Sequence, residues 1–141
     1  MIVYDVAPQE AHDLLLEART KWHPELEKVR IGMIVASSRN KDGSINGNPP
    51  IKAYGGHACA AQVKLVPAKD RIHKNLDAEI MIDGDSWPTW SAATKLATID
   101  HELEHIVVTN AEDDEADHPK LKLRPDAWAS WGLLFRYIAS W

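Results

Sequence analysis

The stretch ATIDHELEHIVV, residues 97–108, decides how the second half of this chain is read. Leu96, Ile99, Leu103 and Ile106 recur at the three- and four-residue spacing of an amphipathic helix, and His101 and His105 fall on the opposite side. Asp85 and Ser86 are N-capping residue types, Pro88 suits a first helical turn, and no Gly or Pro interrupts residues 89–109. The pattern predicts one long helix across 89–109, with a core face and a separate polar face.

On that polar face the residue types carry a specific chemistry. Side chains four apart on a helix stack one turn above the other, so His101 and His105 can present their imidazoles to a single Zn²⁺. Glu102 is rotated by roughly 100° from His101 around the helix. That leaves its carboxylate beside a bound ion, within reach of a water and outside the ligand set. Zinc lowers the pKa of a bound water from about 15.7 towards 7, and Glu102 is placed to act as general base and then return the proton to a leaving amine. The alternative is an ordinary polar stripe with Asp100 and Glu104. A chain of this composition produces His-Glu-x-x-His by chance in about two cases in a hundred, by composition arithmetic, and a helical setting makes coincidence rarer still.

Outward from this helix the chain alternates short β-rich runs with helical ones. An apolar start, MIVYDV, precedes a helix over 8–22 that places Ala11, Leu14, Leu15, Ala18 and Trp22 on one side. Strands are expected in 29–38, within 56–67 and at 78–83 (AEIMID), separated by the turn-rich RNKDGSINGNPP and the polar connector AKDRIHKNLD, itself one or two helical turns. After the long helix, the acidic NAEDDEADHP is expected as a loop and LKL as a short extended piece. A last helix is expected to open at Pro125, with Trp128, Trp131, Leu134, Phe135 and Ile138 on its apolar side. Strands close in sequence with helices around them argue a single α+β domain over 1–141, built on a small mixed sheet of three to four strands.

Composition removes several functions. With 141 residues and 45% apolar content the chain can bury one core unaided. A formal charge of −5 supplies no basic stripe for a phosphate backbone, so nucleic acid is not an expected partner. The single cysteine, Cys59, points to a reducing cytoplasm, and no run approaches the ~20 apolar residues that cross a bilayer, so a soluble protein with no membrane partner is expected. The glycine-rich YGG and DGSINGN lack the Lys-Ser/Thr of a phosphate loop. Cys59 near His57 lacks an orienting third group, and the tryptophans read as core. His12, His23 and His73 have no ligand spacing to any partner.

A catalytic zinc takes three protein ligands and keeps one position open. The metzincin extension is excluded, because Val108 and Ala111 occupy the places where Gly and His are required. Two candidates remain for the third ligand. Asp126, in the first turn of a helix opened by Pro125, ranks ahead of His118 in the acidic loop, although a carboxylate there could equally serve the helix N-terminus.

The combination AEIMIDGDSWPTWSAATKLATIDHELEH, then the acidic segment, then LKLRPDAWASWGLLFRYIASW, together with HPELEKVRIGMIVASS near the start, resembles the phage metallopeptidases, small zincin-like proteins related in style to SprT-like domains. The resemblance covers most of the chain. It implies a minimal zincin-like domain, a zinc-dependent peptidase activity, phage origin and action in the host cytoplasm. In that family a His-Asp pair commonly follows the LRP segment, where this chain has Asp126 and Ala127. By position the resemblance therefore implies His101, His105 and Asp126 as ligands, a carboxylate replacing an imidazole. It also implies that a peptide or protein substrate adds as a strand along 78–83, the edge strand above the active helix; the alternative for 78–83 is a fully paired core strand. The alternative is a zinc-binding regulatory or interaction module of phage origin that cleaves nothing.

Overall fold

The computed structural model describes residues 1–53, 56–115 and 118–124. In chain order these form β1 (Ile2–Val6), α1 (Gln9–Trp22), β2 (Ile31–Ser38), β3 (Ala61–Leu65), α2 (Ala68–Lys74), β4 (Ala78–Asp83), α3 (Ala92–Glu104), β5 (Ile106–Glu115) and β6 (His118–Leu123), with short 3-10 turns at Pro24–Leu26 and Trp87–Thr89. The α+β class is as the residue patterns predict. β1, β2, β4 and β3 lie side by side in that order in one mixed sheet, and β5 pairs with β6 in a second, two-stranded one.

Two strands flank β4. It runs parallel to β2, Ile80 opposite Met33, and antiparallel to β3, Ile80 opposite Val63. This corrects the expectation that 78–83 is an edge strand open to substrate. The alternation of AEIMID suits a half-buried strand at either position, but Ala78, Ile80 and Ile82 are fully buried and both backbone edges are paired. The sheet edge on that side is β3.

α1 and α3 pack on one sheet face. Met33, Val63, Ile80 and Ile82 meet Ala11, Leu15 and Ala18 of α1 and Ile99 and Leu103 of α3 in a single core cluster. Ile99 and Leu103 are wholly buried, and each contributes about 1.5–3 kcal/mol by leaving water. The opposite face, with Tyr4, Ile34, Met81 and the facing pair Lys64 and Glu79, is more open.

The turn from β4 into α3 is fixed by local chemistry. Asp83 accepts bonds from the Asp85 and Ser86 backbone N–H groups at 3.0 Å and from the Ser86 hydroxyl at 2.8 Å. Gly84 passes so close to β2 that a Cβ would lie 2.9 Å from Ser37 Oγ and 3.2 Å from the Ala36 carbonyl. Asp85 in turn accepts from the Ser38 N–H at 2.9 Å and the Arg39 guanidinium at 2.6 Å. Burial pushes the Asp85 carboxyl up, but these bonds and the Arg39 charge together hold it below its ordinary value.

α3 itself is shorter than the pattern implies, at both ends. Asp85, Ser86 and Pro88 belong to the turn before it. Ser91 is the cap, its hydroxyl accepting from the Thr94 N–H at 3.2 Å. At the other end the helix stops at Glu104, and Ile106 already pairs with Leu123. Ile106, Val107, Val108 and Thr109 are all β-branched, which favours extended backbone; their apolar spacing alone does not distinguish the two states. The acidic segment predicted as a loop continues β5, and β6 covers LKL and the residues before it. The helix expected from Pro125 lies outside the described residues. Among the described residues no helix is long and apolar enough to cross a membrane.

Candidate metal centre

His101 and Glu102 sit in the last turn of α3, and His105 is its C-terminal capping residue. The three side chains offer ligand atoms within 4.8 Å of one another. His101 and His105 meet edge-on with ring centroids 4.9 Å apart, and their Nε2 atoms are separated by 3.3 Å. Two nitrogens bound at about 2.0–2.1 Å to one tetrahedral zinc stand about 3.3–3.4 Å apart, so the pair is already spaced for chelation.

The end of the helix supplies the other half of the arrangement. The His105 Nδ1 lies 2.6 Å from the Arg124 carbonyl oxygen. A carbonyl can only accept, so Nδ1 carries the hydrogen and the neutral ring presents its Nε2 lone pair towards His101. The same residues are joined through the backbone, the Arg124 N–H donating to the His105 carbonyl at 2.7 Å. The early switch from helix to strand at Ile106 thus has a chemical result. It brings the end of β6 against the second histidine and sets that histidine's tautomer.

Glu102 is 6% exposed. It lines, with His101, a groove of about 440 Å³ between α3 and the start of β3, whose other walls are Thr94, Ala97, Thr98, Cys59, Ala60 and Ala61. The walls are small, the groove is open to solvent, and it runs beside the edge strand of the sheet. Cys59, a partly exposed thiol in no disulfide, is on its rim.

Of the predicted site residues, His101, Glu102 and His105 come together; Asp126 lies outside the described residues. His118 begins β6, five residues before Leu123, which pairs with Ile106. At about 3.3 Å per strand residue, its backbone is on the order of 16 Å along the hairpin from the histidine pair. β6 therefore carries His118 away from the centre.

The core side of the same turn holds a second group. Asp100, wholly buried, has its Oδ1 2.5 Å from the Nε2 of His23, which is itself 2% exposed. Glu104 approaches the same nitrogen at 3.9 Å, and its other oxygen lies 3.7 Å from the Arg124 guanidinium. His23, assigned no partner by spacing, is thus a member of a buried cluster. The legible signal was Asp100, which lies four residues after Leu96 and three before Leu103, an acid on an apolar face. Its partner is 77 residues away and no local pattern could name it.

The profile of the family described as "Putative phage metallopeptidase" matches residues 5–137. The chain belongs to that family. Membership implies a metal ion, and the His101, Glu102 and His105 grouping is chemically suited to hold one. No curated protein and no solved structure gives a significant match.

Proposed function

We propose that this phage metallopeptidase is a zinc peptidase of the zincin type, with His101, His105 and Asp126 as ligands and Glu102 as general base. The observation that carries the reading is the 3.3 Å Nε2 separation, combined with a His105 tautomer whose lone pair faces the same space. Imidazole pairs on one helix face with an adjacent carboxylate match zinc's preference for nitrogen and oxygen donors. When bound there, zinc supplies Lewis acidity that polarises a scissile carbonyl and makes water a nucleophile near neutral pH.

The remaining chemistry belongs to this chain's own residues. Glu102, beside the histidines and nearly buried, takes the proton of the attacking water and delivers it to the departing nitrogen. Asp126 is favoured as third ligand by connectivity. The Arg124 carbonyl is held against His105 at 2.6 Å, and two residues of chain reach about 7 Å at most. A peptide substrate is assigned to the groove between β3 and α3, extended by backbone hydrogen bonding along β3, an edge strand of the sheet among the described residues. The single Cys59 accords with work in the host cytoplasm.

Glu102→Gln tests the reading. Wild type is expected to carry about one zinc per chain and to cleave casein or a peptide library. The variant should keep the zinc while cleavage falls by about two to four orders of magnitude. Wild-type protein fully loaded with zinc that cleaves nothing across the library would instead make the chain a zinc-binding module.

A further inference from the structure

The buried cluster on the core side of α3 adjoins the metal side along the chain at both ligands. Asp100 immediately precedes His101, and Glu104 immediately precedes His105. Both carboxylates converge on one imidazole, His23, at 2.5 and 3.9 Å. Glu104 also approaches the guanidinium of Arg124 at 3.7 Å, and it is the carbonyl of Arg124 that accepts from His105 Nδ1. These approaches link His23, across Glu104, to the side chain of the residue whose backbone carbonyl holds the ring of a ligand.

The distances argue against this cluster being a second metal site. Two ligand atoms of one zinc stand about 3.3 Å apart, whereas His23 Nε2 and Asp100 Oδ1 are 2.5 Å apart. Atoms that close are hydrogen-bonded directly to one another, with no room for an ion between them. Its location is also fixed from the other side. His23 follows the end of α1, its N–H bonded to the Arg19 carbonyl at 3.1 Å. The Arg19 guanidinium donates to the carbonyls of Leu26, Glu27 and Val29 at 2.5, 3.0 and 2.8 Å, clamping the turn that carries His23.

We infer that His23 is a positioning residue for the metal centre. It ties the last turn of α3 to the end of α1 through Asp100. Through Glu104 and Arg124 it steadies the carbonyl that fixes the His105 tautomer. This rests on His101 and His105 being metal ligands. Outer partners of metal ligands commonly account for about 10- to 100-fold in metal affinity.

The test uses the full chain and two substitutions, His23→Gln, which can still donate to Asp100, and His23→Leu, which cannot, with the exposed His12→Gln as control. Zinc affinity is measured by chelator competition, and the visible spectrum of the Co²⁺-substituted protein is recorded, on samples whose folding is checked by circular dichroism. The expected order of affinity is wild type, then His23→Gln, then His23→Leu, with the Leu variant about 10-fold or more weaker and its cobalt bands shifted. If the Leu variant does not fold, a shifted cobalt spectrum and weakened affinity in folded His23→Gln support the assignment. Unchanged affinity and cobalt bands in folded His23→Gln and His23→Leu overturn it, as does loss of a second equivalent of metal on substitution, which would make His23 a ligand. None of these readouts requires cleavage, so a zinc-loaded wild type without peptidase activity would defeat the proposed function while leaving the role of His23 measurable.

Discussion

On one side of the last turn of α3, His101 and His105 hold their Nε2 atoms 3.3 Å apart at the end of an open groove. On the other, one residue earlier in each case, Asp100 and Glu104 face a buried histidine at 2.5 and 3.9 Å. Both groups combine imidazole and carboxylate, and each takes two of its members from i,i+4 positions of the same turn. What separates them is distance and access. The spaced pair leaves room for an ion and a substrate beside Glu102, whereas the close pair joins two elements of the fold. Donor type alone would class the two together.

The comparison can be broken at several points. His105→Ala should have the largest effect, with zinc retained after gel filtration falling from about one equivalent per chain to a small fraction, since one of three ligands is gone. Full retention would mean that the ion is held elsewhere. Ile99→Ala acts on the core face, where the side chain is wholly buried, and should cost about 2–5 kcal/mol in denaturant unfolding. The folded fraction should still bind stoichiometric zinc; a parallel loss of zinc would show that the two faces are not independent.

Smaller effects are expected at the start of the helix. Asp85→Asn removes a carboxylate held by Arg39 and the Ser38 N–H and should cost about 1–2 kcal/mol at neutral pH. Because the folded-state pKa of Asp85 is lowered, its stabilisation is complete above the unfolded value of about 3.9 and is lost as pH falls through the lower folded value. The difference between variant and wild type in urea unfolding should therefore vanish in acid. A difference that does not shrink as the pH falls below the unfolded value would contradict the ion-pair explanation. Ser91→Ala removes the N-cap bond to Thr94 and should cost about 1 kcal/mol or less, without change in zinc affinity.

α1, α3 and the strands expected at 29–38, in 56–67 and at 78–83 were legible in their residue patterns, although β3 occupies only Ala61–Leu65. The C-terminal boundary of α3 was not. Ile106 and Val107 continue an apolar spacing compatible with helix, and only pairing with Leu123 and Lys122 makes them strand. Strand order was also hidden. AEIMID carries no mark of having neighbours on both edges, so an edge position was assigned to β4, whereas among the described strands the edges of this sheet are β1 and β3. At the site, the histidines and Glu102 were legible because their spacing is local. His23 was not, because its relation to Asp100 exists only once α1 packs on α3.

The central claim is that one ion sits between His101 and His105. Anomalous scattering from a zinc-loaded crystal, recorded on both sides of the zinc absorption edge, tests it most directly. The account predicts one strong peak, bonded to both Nε2 atoms at about 2.0–2.1 Å, with Asp126 completing the protein ligands. A peak at His23 and Asp100, or no peak near His101 and His105 in protein carrying stoichiometric zinc, would contradict it.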